Sequence, residues 1–177
     1  LPFPAAGTGR EDEASAAALG YGAHIQPGDC YLVFDFGGGT LDIAVVLIEA
    51  EENAVAGRRC RILAKAGTDI GGISLDQLLF QDLLHQTGRQ DTDPLIQTLS
   101  GSILAECEDA KIQLTSKTEA AITLLDPDTG QVLEANWSRS RFEELMDGAD
   151  LIGGIDRLIR QVLNRARDRG YGEDQIK

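Results

Sequence analysis

With 177 residues, 42% of them hydrophobic and 25% charged, the chain has the balance of a soluble globular protein holding one substantial core or two small ones; one domain with a sizeable insertion is the expected organisation. A formal net charge of −13 and a pI near 4.4 repel nucleic-acid phosphates and anionic lipid surfaces, so neither nucleic acid nor membrane is expected as a partner, and any anionic ligand needs a local site. Three widely spaced cysteines, Cys30, Cys60 and Cys107, fit neither a zinc site nor a CxxC motif and suit a reducing cytoplasmic setting, while two distant histidines, His24 and His85, make a histidine metal site unexpected.

The opening LPFPAAGTGREDEA has no basic stretch followed by an apolar core, so no signal peptide is expected. The missing initiator methionine and the ending GEDQIK give the expectation of a fragment of a longer protein. The alanine-rich EASAAALGYG, residues 13 to 22, suits a helix closed by glycine.

Residues 31 to 36 and 41 to 49 are rich in β-branched and aromatic types, and the glycines between them read as a hairpin turn. Both flanks are apolar at nearly every position, which predicts burial on both faces. The same run, cut at Asp35 and Asp42, is too short to span a membrane. EENAVAGRR is a polar turn before a third strand, CRILAKAG, so a small antiparallel meander is expected, ending at the punctuation TDIGGIS.

From Ser74, a candidate N-cap, the period becomes helical through Leu75, Leu78, Leu79 and Leu83, until TGRQDTDP breaks it. A second helix is predicted from about Pro94 to Thr115, with Leu95, Leu99, Ile103, Leu104, Cys107, Ala110 and Leu114 on one side. EAAITLLD, the turn PDTG and QVLEANWS form a hairpin, and Ser138 opens a helix at SRSRFEELM. DLIGGIDRLIRQVLNRARDRG gives a last amphipathic helix ending at Gly170. The order fits an α/β core with a mixed insertion: an N-terminal segment over 1–22, a β-meander over 23–73, an insertion subdomain over 74–137 and returning core helices over 138–177.

The stretch YLVFDFGGGTLDIAVV, residues 31 to 46, carries the chemistry. An aspartate ending a strand, a glycine turn and a threonine gather backbone N–H groups, a hydroxyl and a carboxylate at one point, which is a phosphate grip with a carboxylate beside it. Glycine lets the backbone approach phosphate oxygens, Thr40 can donate a hydrogen bond, and Asp35 can hold magnesium directly or through water. A tight hairpin using glycine for positive φ is the plain alternative, although two glycines suffice for that.

LVFDFGGGTLDIAVV resembles the second phosphate-binding motif of the heat shock protein 70 family, the DnaK-type chaperones, within the actin-like, ribonuclease H-like ATPase fold. EASAAALGYG, AGTDIGGISLDQLL, AECEDAKIQLTS and SRSRFEEL match further family segments in order, so the resemblance covers roughly residues 13 to 177. It implies an ATPase lobe of that fold with a mixed α+β insertion subdomain, binding ATP or ADP with Mg2+. Asp35 then stands near the magnesium ion and the attacking water, and Gly37, Gly38, Gly39 and Thr40 wrap the β- and γ-phosphates, so that catalysis rests on positioning and charge neutralisation. Asp42 is read as a local structural partner.

By the same resemblance Glu108, Lys111 and Thr115 contact adenosine, and their spacing puts them on one helix face where one ligand can meet all three; an ordinary Glu–Lys pair on a solvated helix is the alternative. Gly71 and Gly72 match a phosphate-side glycine pair, although Ile73 and Ser74 stand where the family usually has acidic residues. Glu13 matches a glutamate near the magnesium shell, with Ala14 in place of the usual proline. Cys107 and Trp137 read as core residues, and the arginines from Arg157 to Arg169 as a solvated, salt-bridged face.

The resemblance also implies a first ATPase lobe and a substrate-binding domain elsewhere in a parent chain, with unfolded client peptides, co-chaperones and a nucleotide exchange factor as partners. The isolated piece is expected not to turn over ATP. A sugar or acetate kinase of the same fold, and an inactive nucleotide-sensing scaffold, are the rival readings.

Overall fold

The computed structural model describes residues 26–50 and 60–177. The helix expected over 13–22, Glu13 within it, and the polar turn after residue 50 lie outside the described residues. The protein is mixed α/β, and its described residues divide into two compact units: residues 26–50, 60–69 and Gly153–Lys177 form one, Ile70–Ile152 the other.

In the first unit β1 (Cys30–Phe36), β2 (Leu41–Ile48) and β3 (Cys60–Thr68) make an antiparallel sheet in the order β1-β2-β3. Leu41, Ile43 and Val45 of the central strand, with Leu63 and Ala64 of β3, pack with Val162 and Ala166 of α4 (Leu151–Arg167). Burial on both faces holds for β2 but not for β1, where Phe34 and Phe36 are 47% and 40% exposed and stack on each other. The reason is strand order: among the described residues β1 has a full strand, β2, on one side only, and the apolar count alone cannot distinguish such a strand from a central one. Ile176 makes a parallel bridge to Cys30.

At the opposite edge, arginines of the C-terminal helical region meet β3. Arg165 donates to the carbonyl of Lys65 at 3.0 Å, and Arg169 donates to that of Leu63. The expected solvated pairing describes Arg160 with Asp156 and Arg167 with Glu173, but Arg165 and Arg169 instead satisfy backbone acceptors that an edge strand leaves unpaired.

In the second unit α1 (Gly72–Thr87) and α2 (Pro94–Ser116) pack with the hairpin of β4 (Glu119–Leu125) and β5 (Val132–Ser138) and with α3 (Arg139–Gly148). Period-two alternation puts Ala120 and Ile122 of β4, with Leu133, Ala135 and Trp137 of β5, on the buried face. Ser138 caps α3 by accepting the Arg141 N–H at 3.1 Å, and Phe142 of that helix joins this unit's core.

Two expectations need correction. Ser74 is not the N-cap of α1: Gly71 is, and the Ser74 hydroxyl accepts the Gly71 N–H at 3.2 Å from inside the first turn. Leu104 is exposed, while Ile96 is buried in its stead, because the buried stripe through Ile103 and Cys107 leaves position 104 turned about 100° away.

Candidate functional site

β1 delivers Asp35 to its end, and β2 begins at Leu41, so Gly37, Gly38, Gly39 and Thr40 form the connection. The Gly37 N–H donates to the Thr40 carbonyl at 2.8 Å and closes the turn. None of the three glycines has a left-handed φ, so the plain hairpin reading, in which glycine is there for positive φ, does not account for them. A Cβ at Gly38 or Gly39 would meet nothing within 4 Å among the described residues, so internal packing does not account for them either. Gly38 and Gly39 are exposed, and neither their N–H groups nor the Thr40 hydroxyl bonds to another described residue. The loop therefore presents bare backbone donors and one hydroxyl to whatever approaches it.

Asp35 is exposed and lies directly across from Asp42 in the strand register. Asp42 is turned the other way, over β3, where its Oδ1 is 3.3 Å from Lys65 Nζ. Thr40, Asp42, Lys65, Gly67, Thr68 and Asp69 line a pocket of about 520 Å³ beside the loop. The donor set fits a hydrated magnesium–phosphate group: Mg2+ is held by one or two carboxylates plus waters and phosphate oxygens, and Asp35 supplies such a carboxylate. Among the described residues no group of three or more His, Cys, Asp or Glu could cage a metal ion by itself.

The second unit carries the other candidates. Lys111 Nζ lies 2.7 Å from Asp76 Oδ1 and donates to the Gly72 carbonyl at 3.2 Å, so the helix lysine and the glycine pair, 39 residues apart, come together at the start of α1. An ordinary Glu108–Lys111 pair is thus not what forms. Glu108 and Thr115 are exposed on α2, with the Thr115 hydroxyl bonded back to the Ile112 carbonyl at 2.6 Å. Ile112, 55% exposed between them, was not singled out by the sequence; an isoleucine four residues after Glu108 and outside the core stripe was the available signal.

A buried polar cluster also escaped the sequence reading. Asp82 of α1, 4% exposed, accepts from Trp137 Nε1 at 2.9 Å, Arg141 at 2.7 Å and Gln86 at 2.8 Å. Burial alone would raise its pKa, but the hydrogen bonds from Arg141, Gln86 and Trp137 outweigh that and hold the carboxyl below the ordinary range. Trp137 is core, as expected, yet its ring N–H is one of the three donors, after Arg141 and Gln86, that let a charge sit there. Cys107 is fully buried, and burial, followed by the charges of Asp76 and Glu106, pushes its thiol up to about 12, the behaviour of an inert core residue.

Residues 12–174 match the Hsp70 protein family. The chain is 31% identical over 174 residues to the chaperone protein DnaK of Deinococcus deserti, an alignment covering 93% of this chain and 26% of that protein. It is 30% identical over 172 residues to the chaperone protein dnaK of Emiliania huxleyi, covering 93% and 26%. A chaperone protein HscA homolog of Neisseria meningitidis serogroup B is 30% identical over 171 residues, covering 94% and 24%. The chain spans about a quarter of the length of these relatives.

Proposed function

Since the chain belongs to the Hsp70 family, we propose that it is part of the nucleotide-binding domain of an ATP-dependent chaperone and grips the phosphates of Mg-ATP or Mg-ADP with the loop from Gly37 to Thr40. The observation that carries this reading is that the loop glycines are required neither by backbone φ nor by packing among the described residues, yet leave donors and the Thr40 hydroxyl bare beside the exposed Asp35 carboxylate. Asp35 would hold the magnesium ion, which supplies charge neutralisation at the phosphates when bound. Thr40 orients a phosphate oxygen by hydrogen bonding, and the loop N–H groups bind the others. Glu108, Thr115 and the exposed Ile112 form the adenosine side of the reading. Lys111 contributes by fixing the Gly71–Gly72 turn through its contact with the Gly72 carbonyl. Glu13 belongs to the magnesium shell in the same proposal.

On this reading the lobe has the actin-like, ribonuclease H-like fold, with the insertion subdomain carried by residues 74–137. The parent supplies a first lobe, and a substrate-binding domain for unfolded clients, with co-chaperones and an exchange factor acting on the nucleotide cycle. A cytoplasmic site of action is part of the proposal.

The test is ATP turnover by the full-length protein, with and without an unfolded peptide, beside Thr40→Ala. Turnover that rises with peptide and falls on the order of a hundredfold in the variant supports the reading. Nucleotide binding without turnover in either protein would favour the inactive, sensing alternative, the reading to which the departures at Ile73 and Ala14 point.

A further inference from the structure

We propose that Lys65 and Gly67 of β3 are positioning residues of the phosphate loop, acting through Asp42; the inference rests on the nucleotide-binding reading above. The register places Asp35, Asp42 and Gly67 in one row across the sheet, with Val33, Ala44 and Lys65 in the next row on the same face. Two carboxylates directly opposite each other on adjacent strands repel, and here they stand at the mouth of a loop read as a polyanion site. β3 resolves this in two ways. A Cβ at Gly67 would lie 2.9 Å from Asp42 Oδ1, so only glycine leaves the carboxylate room to lean over β3 and away from Asp35. Lys65 Nζ then meets it at 3.3 Å with 30% of its side chain still exposed.

The pocket beside Thr40 is lined by Asp42, Asp69 and Lys65 among its charged residues, so Lys65 is the one cation in the lining among the described residues. Without it, phosphates arriving at Thr40 face Asp42 as an uncompensated negative charge. The role assigned to Lys65 is therefore neutralising and aiming Asp42, leaving Asp35 as the carboxylate free to face the ligand. Lys65 is not itself given a contact to the phosphate.

The experiment is calorimetric titration of Mg-ADP into the full-length protein, using the wild type, Lys65→Met, Lys65→Arg, Asp42→Asn, the Lys65→Met/Asp42→Asn double variant and Thr40→Ala. Lys65→Met is expected to bind about tenfold more weakly, the scale of one unpaired charge a few ångströms from a polyanion near a protein surface. Lys65→Arg restores binding, and Asp42→Asn suppresses the loss in the double variant, a reversal that misfolding of Lys65→Met would not produce. Unchanged binding by Lys65→Met overturns the inference. So does a loss undiminished by Asp42→Asn, which would make Lys65 a direct phosphate ligand. If Thr40→Ala weakens binding while Lys65→Met does not, only this inference falls; a wild type that binds no Mg-ADP removes the nucleotide reading and this inference with it.

Discussion

Gly67→Ala separates the stability of the sheet from the function assigned to it. The backbone at Gly67 is outside the left-handed region, so alanine is conformationally allowed there. Its Cβ, however, would sit 2.9 Å from Asp42 Oδ1 and 3.3 Å from the Leu41 carbonyl, and the carboxylate is the partner able to move. Forcing it off its rotamer costs about 0.5–1.5 kcal/mol. The partly exposed pair with Lys65 is worth at most about 1 kcal/mol when lost. Alanine gives back about 0.5–1 kcal/mol over glycine within a strand. The net change in unfolding free energy, read from urea denaturation of the chain, is therefore a loss of only about 1 kcal/mol. The displaced carboxylate has the Asp35 side to move into, so Mg-ADP binding by the full-length protein should weaken several-fold with the fold intact. Wild-type affinity in Gly67→Ala would refute the reasoning. A loss of stability beyond about 3 kcal/mol would also refute it, since the backbone contact with Leu41 would then be what gives way.

Asp82→Ala removes the acceptor of a ring N–H on Trp137, which is 1% exposed, and should destabilise the second unit by about 1–3 kcal/mol in urea unfolding; Arg141, 44% exposed, can be rehydrated and adds little. Because the folded carboxyl of Asp82 is held below its ordinary value, its contribution is present above about pH 4 and lost as pH falls through the folded pKa, and Asp82→Asn should flatten that acid slope in stability. Cys107, buried and with its thiol pushed up to about 12, should resist an aromatic disulfide reagent at pH 8 until the chain unfolds, whereas labelling in the native state at the rate of an exposed thiol would contradict its place in the core.

The elements that the sequence made legible are those specified by neighbours along the chain. The β4–β5 hairpin rests on strict alternation around PDTG, α3 on the Ser138 cap, and α2 on the repeat through Leu99, Ile103 and Cys107. What escaped depends on partners far apart in sequence. Strand order decides that Phe34 and Phe36 are exposed, and Lys111 finds Asp76 on another helix. Ser74 misled because a serine inside the first turn and a serine at the cap make similar patterns, and only the bond from Gly71 tells them apart. Asp82 did leave a trace: it falls three residues after Leu79, on the buried face of α1, and a charge in that stripe calls for a partner. Its partners, Trp137 and Arg141, lie 55 and 59 residues away.

Glycine is used in this chain for two different reasons, and the difference bears on the loop. At Gly88 and Gly170, which end helical segments, φ is 65° and 92°, and the requirement lies in the backbone itself. At Gly67 the backbone is ordinary and the requirement is the space occupied by Asp42. At Gly38 and Gly39 neither holds among the described residues: φ is ordinary and the space is open. Alanine there would disturb nothing within the described structure and would lower the conformational entropy lost on folding, so the folded chain alone gives no physical reason for glycine. A ligand whose oxygens approach the backbone more closely than a Cβ permits gives one, and on the proposed reading the same ligand takes up the Thr40 hydroxyl and the exposed Asp35 carboxylate, for which no partner stands among the described residues.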